Sequence, residues 1–338
     1  MSARVALASA VLVGCASLVG VRDLPDSSTS GDGGDDGPSQ DDATQCTPAA
    51  TVLTASDDAD YIATSGGFVI AQIAGVSVVR CAASGGCADP PNLLTVSASD
   101  TFEWSAVSTS LFYTTQANVG GAVHRTALDG TSDQVVLTTA ASPSLIAASG
   151  AHEFWVDDAT GDVHCLGCQG SDAVWISALG SPAGLLADAN AVYALADDGN
   201  GTLVVDACAS NAPCDTSPRV VIDGLAQSTT MAELASDGSR LYVAHDQAPL
   251  VEAIDSLGAS TKLLSEVASA LAVDAASGEL FFAAADGTIG RVKASGGLPA
   301  GLGACPIAGT IAGLALDATN VYVLGEVGTA TTVYAVPR

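Results

Sequence analysis

Basic residues are scarce in this chain: 10 Lys and Arg stand against 37 Asp and Glu in 338 residues, a formal net charge of −27. A surface that negative repels phosphate backbones and anionic headgroups, so nucleic acid is not expected as a partner. Charge of either sign is sparse at 14%, while 48% of the residues are hydrophobic. The chain as a whole is therefore no disordered polyanion and can bury a core. Also missing are the G-x-S-x-G elbow, the H-E-x-x-H helix and a phosphate-binding loop, which removes the simplest hydrolase, zinc-peptidase and nucleotide readings. The length leaves room for one large β domain or two ordinary ones.

What the chain does hold begins at its N-terminus. Arg4 is followed by apolar and small residues from Val5 to Gly14, then by Cys15. A basic start and a short apolar run suit an export signal; the run from Val5 to Val21 covers 17 residues, at the short edge for a membrane span. Residues 23–45 carry seven Asp among Gly, Ser and Thr, with almost nothing to bury. Self-repelling carboxylates and flexible residues predict a disordered tether over 15–45, about 30 residues whose coil would hold the next domain on the order of 30 Å from its anchor. The DGGDDG within it lacks the distal Glu of an EF-hand calcium loop.

The end of the apolar run, Leu12-Val13-Gly14-Cys15, resembles the lipobox of bacterial lipoproteins. That resemblance implies a signal peptide over 1–14, cleavage before Cys15 and a diacylglyceryl group on the Cys15 sulfur. It further implies export, with the membrane as a partner through that lipid. Ala16 in place of Asp after the cysteine resembles lipoproteins sent on to the outer membrane, facing the periplasm or the cell surface.

From residue 46 onward the chain repeats. LLADANAVYAL (185–195), ELASDGSRLYVA (233–244), LAVDAASGELFFA (271–283) and LALDATNVYVL (314–324) each read as an Ala-rich strand, a turn with Asp or Gly, and a strand with an aromatic. Weaker copies are YIATSGGFVI (61–70), WSAVSTSLFYT (104–114) and SLIAASGAHEFWV (144–156). Aligning Phe68, Phe112, Phe154, Tyr193, Tyr242, Phe281 and Tyr322 gives spacings of 44, 42, 39, 49, 39 and 41. A period near forty with four strands per unit marks a β-propeller. Small residues on the first strand suit the crowded axis, and the turn Asp can close an Asx-turn on its own backbone. The last unit stops at Arg338, one strand short, and TVLTA (51–55) reads like the fourth strand VVLTT (135–139). The expectation is an all-β, seven-bladed β-propeller over 46–338, closed by the N-terminal strand 51–55; six blades remain open if 57–98 is irregular.

Phe154-Trp155-Val156-Asp157 resembles the YWTD motif, and residues 111–137 look like a whole repeat of that type. The chain is thus similar to YWTD/NHL-like propellers, and to bacterial lipoproteins whose propeller blades carry a cysteine pair before the outer strand. The likeness implies the fold.

Nine cysteines become eight once Cys15 is set aside, an even number that favours disulfides in an exported chain. Cys81 and Cys87, Cys165 and Cys168, and Cys208 and Cys214 form adjacent pairs, and each second cysteine precedes an apolar pair by the same six residues. A pair that recurs in one loop with changing internal spacing is architectural. For the C-x-x-C of Cys165 and Cys168, a low-pKa redox dithiol would need a helix N-terminus. Haem attachment would need His where Gln169 stands. Zinc on His164, Cys165 and Cys168 would need a fourth ligand. Redox and zinc stay open behind the staple reading. Cys46 fits the second-cysteine slot of the closing blade, which leaves Cys305 for it by elimination.

The histidines are His124, His152, His164 and His245, with His124 and His164 at matching third-strand positions and no acid evidently beside them. Asp157–Gly161 (DDATG) partly resembles the D-x-x-T-G of quinone-cofactor propellers, but without the flanking residues it reads as a hairpin turn. Asp57-Asp58 and Asp197-Asp198 read as solvated turns, with calcium the one cofactor left open. The inner strands show Ala, Gly, Leu and Ser rather than convergent acids. The expectation is a monomeric, lipid-anchored envelope propeller that acts as a protein-interaction or scaffold module on another envelope protein, with no catalytic site. The alternatives are a metal-dependent, lactonase-like hydrolase and a propeller that binds a glycan or small molecule.

Overall fold

The computed structural model describes residues 47–338 apart from 56–58, 75–76, 88–89, 96–102, 117–119, 140–141, 151, 169–171, 178, 198–199, 201, 215–218, 227–232, 245–250, 257 and 329. Cys15, Cys46 and the tether lie outside the described residues. The first strand, β1, is Ala50–Ala55. Blade 1 is β2 (Ala59–Ser65), β3 (Phe68–Ile73), β4 (Ser77–Ala82) and β5 (Asn92–Thr95). Blade 2 is β6 (Trp104–Val107), β7 (Ser110–Gln116), β8 (Gly121–Ala127) and β9 (Asp133–Thr139). Blade 3 is β10 (Pro143–Ser149), β11 (His152–Asp157), β12 (Asp162–Leu166) and β13 (Ala173–Ile176). Blade 4 is β14 (Ser181–Ala187), β15 (Ala191–Asp197), β16 (Thr202–Ala209) and β17 (Arg219–Ala226). Blade 5 is β18 (Glu233–Ser236), β19 (Arg240–Ala244), β20 (Val251–Asp255) and β21 (Ser260–Leu264). Blade 6 is β22 (Ala268–Asp274), β23 (Glu279–Ala284), β24 (Ile289–Lys293) and β25 (Ala300–Gly301). Blade 7 takes β26 (Thr310–Leu316), β27 (Asn320–Val327) and β28 (Ala330–Pro337), and β1 pairs antiparallel on β28 as its fourth strand. This is the seven-bladed ring with the closing strand that the repeat arithmetic predicts, β1 being one residue longer than expected.

The first strand of each blade packs on the first strand of the next, from β2 round to β26 and back to β2, so these seven strands line the axis. Between blades lie sandwiched apolar layers. Phe281 and Ile289 of blade 6 meet Ile311, Val321 and Val336 of blade 7, and Val52 and Leu53 of β1 meet Val69 and Val79 of blade 1. In six blades the third residue of the second strand is the aromatic that fills this layer; Phe154, Tyr242, Phe281 and Tyr322 are all fully buried. In blade 1 that place belongs to Ile70, also fully buried, and not to Phe68, which opens β3. The first spacing is therefore 42 and not 44. Phe68 instead lies under the guanidinium of Arg80, 4.9 Å away.

The turn between the first two strands follows Asx chemistry. Oδ1 of Asp188 accepts from the backbone N–H of Asn190 and Ala191 (2.7 and 2.8 Å), that of Asp237 from Ser239 and Arg240, and that of Asp317 from Thr319 and Asn320. The other oxygen of Asp237 accepts from the Tyr242 phenol at 2.6 Å, and that of Asp317 from Tyr322 at 2.6 Å. Burial pushes both carboxyls up, but these hydrogen bonds outweigh it and hold them below the ordinary carboxylate range. One acid thus ties the turn to the inter-blade aromatic.

Two of the scarce bases bridge blades. Arg80 donates to the Asp129 carbonyl of blade 2 at 2.9 Å. Arg338 pairs with Asp274 of blade 6, donates to the Asp317 carbonyl and lies 4.9 Å over Phe281.

Disulfides join Cys81 to Cys87, Cys165 to Cys168 and Cys208 to Cys214, with Cα separations of 5.9, 5.7 and 5.7 Å. Two of these loops hook the preceding blade. Cys87 N–H donates to the Val52 carbonyl of β1 at 2.9 Å, and Cys214 N–H to the Trp175 carbonyl of β13 at 3.2 Å. Next to β1, Thr47 N–H donates to the Gly303 carbonyl and its own carbonyl accepts from Cys305 N–H, which ties the strand's approach to blade 6. Cys305 is disulfide-bonded; its expected partner, Cys46, lies outside the described residues.

Gly161 and Gly287, with φ of 73° and 83°, turn the second strand into the third in blades 3 and 6. Each carbonyl accepts the N–H that leads out of the blade, Leu179 or Ile307, at 3.0 Å. A Cβ on either would drive into the carbonyl oxygen of Leu179 or Ile307, backbone atoms that cannot step aside. Gly161→Ala and Gly287→Ala should each cost about 2–4 kcal/mol in urea unfolding, against about 1 kcal/mol for Gly258→Ala, which shares the positive φ but whose Cβ would meet nothing. Equal small losses at all three would contradict the close approach.

Candidate functional site

The sequence nominates the cysteines and histidines, and the structure sorts them. His124 stacks on Tyr113 and His164 on Trp155, with ring centroids 4.5 and 4.2 Å apart and nearly parallel planes. The matching positions are real, since each imidazole is the cross-strand partner of the aromatic it covers. Acids do stand beside them, which corrects the expectation of none: Asp172 Oδ1 is 3.1 Å from His164 Nδ1, and Asp133 Oδ2 is 3.8 Å from His124 Nδ1. Tyr113 also donates to Asp133 at 3.0 Å. Burial lowers the His124 pKa, with Asp133 pulling the other way. His124 and His164 lie on the third strands of different blades, each beside an acid of its own blade, and among the described residues no candidate metal cluster holds both. His245, Asp57, Asp58 and Asp198 lie outside the described residues. Asp157–Gly161 forms the hairpin turn, with Gly161 N–H donating to the Asp157 carbonyl at 2.8 Å.

His152, rather than His164, is the imidazole beside a cysteine pair. It opens β11, and its Nδ1 lies 3.4 Å from Cys168 Sγ.

The axis is less empty than the inner-strand composition suggests. Glu103 stands just before β6 and Glu233 opens β18, each two residues ahead of the residue that pairs with the blade's aromatic. That shared register was legible in the repeat, but strand-average composition hides single residues. Tyr61 on β2 lies edge-on to Trp104 of β6, 5.0 Å between centroids, while Trp104 donates from Nε1 to Gln72 at 2.7 Å. Burial raises the Tyr61 pKa first, followed by the charges of Glu233 and then Glu103. Blades 1 and 5 are not neighbours in the ring, so the Tyr61–Glu233 interaction reaches across the axis. Tyr61 nevertheless remains 53% exposed to solvent.

Glu233 is the most perturbed acid at this site. Oε2 accepts the Leu271 N–H at 2.9 Å, and burial pushes the carboxyl up to about 8 against that hydrogen bond. Below the unfolded value of 4.5 both states are protonated and nothing is lost. Above it the unfolded chain ionises first, so native stability falls as pH rises towards 8. Glu233→Gln should therefore melt a few degrees above the parent at pH 8 and level with it at pH 4. No relative gain at pH 8 would mean that the native carboxyl is already ionised.

No family model matches this chain, and no curated protein matches it. Solved structures do. A chain of the mitotic checkpoint complex is 12% identical, with 95% of this chain and all 100% of that one covered at a TM-score of 0.58. YCF48 bound to a D1 peptide is 15% identical over 85% of this chain and 94% of its own, TM-score 0.55. The extracellular domain of the hybrid two-component system BT4673 from B. thetaiotaomicron is 10% identical over 86% of this chain and 39% of its own, TM-score 0.57. At these identities the likeness is one of fold: the chain is a β-propeller.

Proposed function

We propose that the chain is a lipid-anchored protein of the cell envelope, held by Cys15 and its tether, whose propeller binds another envelope protein at the axial mouth around Tyr61. The observation that carries this reading is the half-exposed Tyr61 beside Trp104, within the field of Glu233 and Glu103. An aromatic face beside the Glu103 carboxylate and the Glu233 carboxyl suits a Lys or Arg side chain on a partner: the ring attracts the cation, and the cation favours ionisation of Glu233, whose carboxyl burial pushes up to about 8. The net charge of −27 would steer such a basic segment inward. A chain of the same fold, YCF48, is seen with a peptide bound. Fold alone hosts enzymes and binders alike, so the site has to decide. Two glutamates and a phenol are few oxygens for calcium, which takes six to eight.

A second reading, a small-molecule binder, has one feature in its favour. A cleft of about 620 Å³ opens between blades 4 and 5, lined by Tyr193, Leu241, Asn190, Asp255 and the Cys208–Cys214 pair. Its walls mix apolar and polar groups, as ligand pockets do.

A photo-reactive residue at position 61, with Leu298 as the exposed control site, tests the binding reading in cells. Cross-linking at 61 to a defined envelope protein, diminished by Glu103→Gln with Glu233→Gln, is the expected result. Cross-linking that is equal at 61 and 298 would sink it. In the same cells Cys15→Ser should move the chain from the membrane to the soluble fraction, and retention on the membrane would contradict the lipid anchor.

A further inference from the structure

The middle disulfide differs from its two counterparts. Its cysteines are three residues apart, against six in the others. Among the described residues Cys168 makes no backbone hook of the kind that Cys87 and Cys214 make. Among the described residues this is the pair with an imidazole against it, His152 Nδ1 lying 3.4 Å from Cys168 Sγ. One ligand atom from each of His152, Cys165 and Cys168 fits within 4.8 Å of the other two. The β11–β12 ladder positions His152 and Cys165, since Glu153, next to His152, pairs with Leu166, and Phe154 pairs with Cys165, and Cys168 follows just past the end of β12. Cys165 is fully buried, while Cys168 and His152 are half-buried, so the cluster opens to solvent on one side.

We propose that this staple is also a masked metal site, in which reduction frees Cys165 and Cys168 to bind a thiophilic divalent cation such as Zn²⁺ together with His152. The reductant is a dithiol. Its two sulfurs join, the Cys165–Cys168 bond breaks, and two electrons and two protons pass to the protein, one proton to each sulfur. Metal binding then releases both thiol protons to solvent and leaves two thiolates and a neutral imidazole as ligands. Sulfur ligands around zinc stand about 3.7 Å apart at Zn–S bonds of about 2.3 Å, a small outward movement for two sulfurs released from a disulfide. Two cysteines and one histidine with an open fourth position make a known type of zinc ligand set, and thiolate excludes calcium and magnesium. The oxidised form remains the staple, so the site exists only in the reduced chain.

Co²⁺ serves as the probe, added to the full chain after reduction under native conditions and removal of the reductant. One cobalt per chain should bind with thiolate-to-cobalt charge-transfer absorption. It should protect Cys165 and Cys168 from alkylation while Cys81, Cys87, Cys208 and Cys214 stay reactive. His152→Asn should weaken binding at least tenfold, and Cys165→Ser with Cys168→Ser should abolish it. Alkylation of Cys165 and Cys168 at the same rate with and without cobalt would overturn the proposal. So would a His152→Asn chain that binds cobalt as tightly as the parent.

Discussion

The ring depends on one seam, the pairing of β1 with β28. Every other strand pair in the propeller joins neighbours in sequence through a short connection. The pair Ala50↔Ala335 to Ala55↔Thr331 instead brings together the two ends of the domain, across nearly the whole chain. Its closure entropy is the largest of any contact in the fold, although that cost grows only slowly with length. Without it, blades 7 and 1 would face each other across a gap, and β28 would present a raw edge. The seam is held accordingly: β1 pairs along β28, its Val52 carbonyl takes the Cys87 N–H of blade 1, and Thr47 pairs with Gly303 and Cys305 of blade 6. Three blades hold one strand.

This places the disulfides in the architecture. Closing loops of a few residues, each local staple removes only about 2 kcal/mol of unfolded-state entropy. Their larger effect is to shape the loop between third and outer strands so that it reaches the preceding blade, as Cys87 and Cys214 do. The Asp237–Tyr242 and Asp317–Tyr322 bonds tie turn to inter-blade layer, and Arg80 and Arg338 span from one blade to the next. A chain with so few bases uses two of them between blades, against a net charge of −27.

Much of the fold was legible because repetition amplifies weak signals. Blade number, the closing strand, the Asx turns and three cysteine pairs all follow from residues that recur at one spacing. What recurrence could not settle was the exception. Phe68 looks like the blade-1 aromatic, but it directly follows the Gly66-Gly67 turn and so opens β3, where Arg80 lies over it, while Ile70, third in the strand, fills the layer. The axial acids were missed because Glu103 and Glu233 belong to single blades, and a composition averaged over seven strands dilutes them. His152 was overlooked beside Cys168 because the contact is made across a hairpin, while His164, adjacent in sequence to Cys165, points to the other face of the sheet. The acids beside His124 and His164 lie on or next to the outer strands, where cross-strand register, invisible in a linear reading, brings them close.

Closure is also the precondition for the axial site, since Tyr61 of blade 1 and Glu233 of blade 5 line one axis only in a complete ring. Native-state hydrogen exchange on the isolated domain tests closure most directly, by comparing amides of β1 with those of β27 in the same blade. Closure by β1 predicts that the paired amides of β1 exchange as slowly as those of β27, through the same cooperative opening. Exchange of β1 several orders of magnitude faster, with β27 still protected, would mean that the strand only rests on a ring held shut by other contacts.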